Sequence, residues 1–167
     1  MKKSIIIILL LNLFINNCFS QTFNWESSRK LNWEDFKGPI KEWDVAAASY
    51  CGISVKTVKT KFWNGKSKYS AYAEFECDSS FFNSKRINKD VLSHEQLHFD
   101  ISELYARKMN KIFYEKGFIQ AEQANKIYDS INLIYTKRQS LYEKETEFGT
   151  ILEQQKNWNE KIHQELK

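Results

Sequence analysis

Apolar and polar residues alternate with a period of two along residues 49–62, and again along 68–76. Cys51, Ile53 and Val55 share one face of the first run; Ala71, Ala73, Phe75 and Cys77 share one face of the second. Successive side chains of a strand point to opposite faces, so each run predicts a strand with one buried side. Trp63-Asn64-Gly65-Lys66 between them is a turn signal. A three-residue loop with Gly65 left-handed would set Phe62 opposite Lys66 and, counting outward, Cys51 opposite Cys77. Beyond residue 88 the spacing changes to threes and fours. Leu92, Leu97, Ile101, Leu104 and Tyr105 predict a helix that Asn88 or Asp90 caps and that ends near Lys116, before Gly117. A second helix is expected over residues 120–147, with Ala121, Ala124, Ile127, Ile131, Ile134 and Tyr135 on one side and Phe148-Gly149 as its break. Leu152, Trp158 and Ile162 are the sparse apolar positions of a third, over residues 152–166.

The stretches outside these elements are less regular. Residues 31–39 end in a Gly38-Pro39 turn and predict a short strand or extended arm, with Trp33 and Phe36 packed on the core. Residues 41–48 are expected to be irregular, and 79–89 a polar connection around Phe81-Phe82. At the start, Lys2 and Lys3 precede an apolar run from Ile5 to Phe14, and Cys18 and Ser20 are small residues before Gln21. That order predicts a secretory signal over residues 1–20, leaving residues 21–167 as one domain. The run is too short for a permanent membrane span, which needs about 20 apolar residues. Lipidation of Cys18 is the alternative, disfavoured by the two asparagines before it.

Charge and cysteines narrow the picture. The formal charge is +4, and falls to +2 without Lys2 and Lys3. Such a balance argues against nucleic acid as a partner and is too mild to argue for an anionic membrane. Cys51 and Cys77 are an even pair in a chain expected to be secreted or periplasmic, which predicts a disulfide closing the hairpin's open end.

The chemistry concentrates in His94-Glu95-Gln96-Leu97-His98. The chain has three histidines, and two of them stand here. On a helix, positions i and i+4 project from one face, so His94 and His98 can share a zinc ion while Glu95 handles a proton of water. A catalytic zinc takes three protein ligands. Glu103 is half a turn round the helix from His94 and points away; it and Asp100 are expected in supporting or surface roles. An antiparallel second helix would return its far end to the histidines, bringing Glu143 as the favoured third ligand and Glu147 as the next. His163, among Lys161, Gln164 and Glu165, reads as surface. Zinc with Glu95 as general base points to hydrolysis of a peptide or protein substrate, with Tyr142 as a candidate to hold the oxyanion.

Leu-x-Trp-x-Asp-Phe-x-Gly-Pro (residues 31–39), the pair Ala47-Ala48, and His94-Glu95-Gln96-x-His98-Phe99-Asp100-Ile101-x-Glu103 with Ala106-Arg107 together resemble one family. It is domain-of-unknown-function family 922, secreted bacterial proteins with the character of zinc-dependent proteases. Tyr142-Glu143-x-x-Thr146 and Gln154-x-x-x-Trp158 are in keeping with it. The family's closing pattern reads Tyr-Asp-x-x-Thr-x-His-Gly; here Glu143 stands for the Asp, and Phe148 for the His before Gly149. The resemblance implies a secreted metallopeptidase. The expected fold is α+β and zincin-like: a small antiparallel sheet packed on the long His-Glu-x-x-His helix and two further helices. The alternative is a non-catalytic envelope protein that keeps this fold as a binding or structural module. A carboxylate facing the two histidines favours the enzyme; a bare wall of Phe148 favours the module.

Overall fold

The structure, a computed structural model, describes residues 21–40 and 44–167. The expected secretory segment, with Cys18 in it, lies outside the described residues. The architecture is α+β. Strands β1 (Thr22–Asn24), β2 (Ala47–Ala48), β3 (Cys51–Thr60), β4 (Ser67–Glu76) and β5 (Phe81–Phe82) precede helices α1 (Lys89–Lys116), α2 (Ala121–Thr146) and α3 (Leu152–Glu165). One antiparallel sheet has the order β1-β4-β3, and β2 pairs with β5 in a second. Among the described residues no helix is long and apolar enough to cross a membrane.

Helix α1 divides the core. Leu97, Ile101, Leu104, Met109 and Phe113 join Ile53 and Ala71 of the sheet and Tyr135, Tyr142, Trp158 and Ile162 of the other helices in one cluster. Phe99 joins Ala73, Phe75 and Cys77 with Leu31 and Phe36 in a second. The helix starts where Asn88 accepts hydrogen bonds from the N–H groups of Asp90 and Val91, and ends where Gly117 turns to a φ of +67°. Its register on the sheet is locked by Asn110, whose side chain donates to the carbonyl of Ala71 and accepts from its N–H, both at 2.7 Å. These are backbone groups of β4 beyond the reach of the three-residue β1.

The arm at residues 31–39 does pack on the core, but through a single 3-10 turn over Trp33–Asp35 instead of a strand. Asn32 caps that turn, and Asp35 returns a bond to the Asn32 N–H. Trp33 and Phe36 meet Phe82 and Phe75 with ring centroids 5.2 and 5.3 Å apart. Buried Asp100 ties the same arm to α1: it accepts from Trp25 Nε1 at 2.6 Å and from Gln96 Nε2, while Gln96 Oε1 accepts from the Leu31 N–H.

The hairpin departs from its expected register. Lys61 N–H donates to the Lys66 carbonyl, so the tip is one residue wider than expected, and a bulge between Thr57 and Lys59 shifts the ladder once more. Cys51 therefore faces Phe75, with Cys77 two residues further on, and both are unpaired thiols in this structure. The expected disulfide is not formed. Burial pushes the Cys51 thiol up to about 12, so it stays protonated near neutral pH.

Candidate metal centre

His94 and His98 lie one turn apart near the start of α1, their Nε2 atoms 3.2 Å from each other. Helix α2 runs antiparallel to α1: Tyr135 meets Tyr105 and Ser102, Gln139 meets His98, and Tyr142 meets His94. The same geometry delivers Glu143. Its Oε1 is 3.1 Å from His98 Nε2 and its Oε2 is 3.4 Å from His94 Nε2. Among the described residues these three form the one group of His, Cys, Asp or Glu side chains suited to hold a metal ion, with all ligand atoms within 4.8 Å.

Each imidazole is oriented from behind by a glutamine. Gln139 Nε2 donates to the His98 carbonyl, which turns its Oε1 towards His98 Nδ1 at 2.8 Å. An acceptor there requires the proton on Nδ1 and leaves the lone pair on Nε2. Gln155 acts likewise on His94. Its amide nitrogen donates to Asn159, and its Oε1 lies 3.0 Å from His94 Nδ1 and 2.7 Å from the Tyr142 hydroxyl. When neutral, both imidazoles thus turn the Nε2 electron pair towards the carboxylate of Glu143, and a proton added at Nε2 bonds to that carboxylate.

The donor set fits a cation. Glu143 Oε2 is buried and makes no well-directed hydrogen bond, its nearest cation partner being His94 Nε2 at 3.4 Å. Two imidazole nitrogens and one carboxylate are a ligand set that zinc accepts, and bonds of about 2.0–2.1 Å to a tetrahedral ion put neighbouring ligand atoms roughly 3.3 Å apart. The observed separations of 3.1, 3.2 and 3.4 Å agree. The electrostatics point the same way. Burial alone would raise the Glu143 carboxyl, but its contacts with His94 and His98 hold it at about 2. Burial lowers His98, and the Glu143 hydrogen bond with the charges of Glu95 and Glu143 more than offsets it, so the imidazole is raised overall. Positive charge is favoured between these three residues.

The centre opens on a cleft of about 1200 Å³ whose walls include β2, the Ser49-Tyr50 backbone and the turn between α2 and α3. Glu95 lines it from beside the histidines. Its side chain is buried, and Oε2 accepts the Ser49 N–H at 2.8 Å. Tyr142 does not line the cleft. Its ring stacks on His94 at a centroid distance of 4.7 Å, and its hydroxyl sits behind the imidazole, 2.7 Å from Nδ1. The expected place facing an oxyanion in the cleft is therefore not the one observed, and the hydroxyl instead contacts His94 and Gln155. Glu147 lines the cleft but stands outside the ligand group. Phe148 also lines it, on the exposed side, so a carboxylate and not the phenyl ring faces the histidines. Glu103 turns away and pairs with Arg107. His163 is exposed, 3.8 Å from Asp100.

The sequence singles out none of Ser49, Gln139 and Gln155, and Gly149 only as a helix break. The two glutamines had a faint signal, as polar interruptions of otherwise apolar helix faces: Gln139 between Tyr135 and Tyr142, Gln155 one turn before Trp158. The part played by Ser49 is a backbone N–H and had none. Tyr142→Phe is expected to leave the fold intact and to weaken metal binding about tenfold, because the imidazole loses one of its two rear partners. A metal titration followed by circular dichroism of the same samples checks this. No protein-family model, curated protein or solved structure matches the chain.

Proposed function

We propose that this protein is a zinc-dependent peptidase of zincin-like build, working outside the cytoplasm, as its resemblance to domain-of-unknown-function family 922 implies. The observation that carries the reading is the convergence of His94 Nε2, His98 Nε2 and the Glu143 carboxylate beside a buried, oriented Glu95 in one cleft. His94, His98 and Glu143 would hold the ion. A bound zinc supplies Lewis acidity, lowering the pKa of water towards ~7 and polarising a carbonyl. The chain's own residues do the rest. Glu95, fixed by the Ser49 N–H, takes the proton from the attacking water and passes it to the leaving amine. Gln139, Gln155 and Tyr142 keep both imidazoles in the tautomer that leaves Nε2 unprotonated. The cleft exceeds the roughly 300–1,000 Å³ of ordinary small-molecule pockets, in keeping with a peptide segment as substrate.

The test is hydrolysis of an unstructured protein by the chain loaded with zinc. Cleavage is expected to stop with a chelator and return with added zinc. Cleavage indifferent to the chelator would refute the proposal.

A further inference from the structure

The tip of the β3–β4 hairpin exposes three large apolar side chains together: Val58 at 61%, Phe62 at 98% and Trp63 at 79%. They stand in a strongly basic stretch. Lys56, Lys59, Lys61, Lys66 and Lys68 fall within thirteen residues, and no Asp or Glu occurs from Ile53 to Ala73. The mild net charge of the chain conceals this concentration.

The tip is built, not loose. Asn64 and Gly65 N–H groups both donate to the Lys61 carbonyl, Lys66 N–H donates to Asn64 Oδ1, and Gly65 takes the φ of +65° that closes the turn. Ser67 and Ile119 exchange both backbone bonds, and Gln120 Nε2 donates to the Asn64 carbonyl. Phe118 lies under Lys61 and Lys68, 4.4 and 5.2 Å from their Nζ atoms. The backbone is thus braced against the far end of α1, and the aromatics project from it.

We propose that this tip is an interfacial anchor for an anionic lipid bilayer. Phe62 and Trp63 enter the headgroup region, where aromatic rings of amphipathic character are favoured, and the lysines pair with lipid phosphates. Charge selects the occupant, since each lysine near an anionic surface raises binding about fivefold. Shape selects it as well: a convex apex with two projecting rings suits a soft, flat surface. A soluble polyanion would use the lysines and leave the rings idle. The anchor also leaves the metal centre accessible. From His98 to Lys116 the helix climbs eighteen residues, about 27 Å at 1.5 Å each, so the cleft stands well clear of the docked surface.

The experiment is co-sedimentation of residues 21–167, which contain every described strand and helix, with vesicles of phosphatidylcholine alone or with about one third phosphatidylglycerol. The protein is expected to bind the anionic vesicles and not the neutral ones, and to dissociate as salt is raised. Phe62→Ser with Trp63→Ser should cut binding about tenfold or more. Lys59→Gln, Lys61→Gln and Lys66→Gln together should cut it roughly a hundredfold at low salt. All these positions belong to the tip, so melting temperature and metal content should stay as in the parent chain. No binding to anionic vesicles overturns the proposal. So does binding that survives loss of the two aromatics, and so does equal binding to a soluble polyanion such as heparin; either marks a polyanion site. None of the vesicle-binding readouts depends on the metal.

Discussion

Glu95→Gln is expected to keep the metal and lose hydrolysis, by about 10²–10⁴-fold or more. The substitution is close to isosteric. The amide oxygen of glutamine can still accept the Ser49 N–H that now fixes Oε2 at 2.8 Å, so the side chain keeps its place. What it cannot do is take a proton. His94, His98 and Glu143 are untouched, and a metal titration should match that of the parent chain. Unaltered hydrolysis at equal metal loading would remove Glu95 as the base. Loss of metal together with activity would mean that Glu95 belongs to the ligand set.

Gly149→Ala is expected to have the largest effect at the metal centre after that, and on binding instead of chemistry. A Cβ at this position would lie 2.9 Å from Cγ and Nδ1 of His94 and 3.1 Å from its Cβ. The ring has Tyr142 stacked on it and Gln155 behind it, so it cannot move without losing the contacts that set its tautomer. The backbone adds a second penalty. Gly149 has a φ of +80° and follows Glu147 and Phe148, at +45° and +56°, in a run of three left-handed residues. An L side chain there costs about 1 kcal/mol. Metal affinity should drop by about tenfold or more, as for loss of a ligand's supporting contacts. Gly65→Ala separates the two penalties, since Gly65 has a φ of +65° but its nearest neighbour would be Gln120 Oε1 at 3.9 Å. It should destabilise the protein to a similar degree and leave metal affinity alone. Equal metal affinity in both variants would show that the close approach to His94 is of no consequence.

The elements with strong local signals were legible. Helix α1 carries its own cap in Asn88 and its own stop in Gly117, and the alternation in β3 and β4 is that of a sheet with one buried face. The pair His94 and His98 needs only the helical repeat to converge. Glu143 needed one more step, the antiparallel return of α2, and Gly117 between two amphipathic helices was enough to anticipate it. The hairpin's outer register was not legible. A bulge at Val58 has no signature in a run of Lys, Thr and Val, and each residue of slippage moves every pair beyond it. That is why Cys51 meets Phe75. The pairing of Ala47–Ala48 with Phe81–Phe82 is two residues long, too short for any periodicity. Tyr142 is next to Glu143 in the chain and yet stands outside the cleft. On a helix, neighbouring residues point about 100° apart, and this one points behind His94.

The central claim is that His94, His98 and Glu143 bind a metal ion, and metal content tests it most directly. Residues 21–167, reconstituted with zinc and desalted, are measured by mass spectrometry beside Glu143→Ala and Glu147→Ala. The account predicts about one zinc per chain in the parent and in Glu147→Ala, and a loss in Glu143→Ala. A parent chain that retains no zinc would contradict it and leave the fold as a binding or structural module.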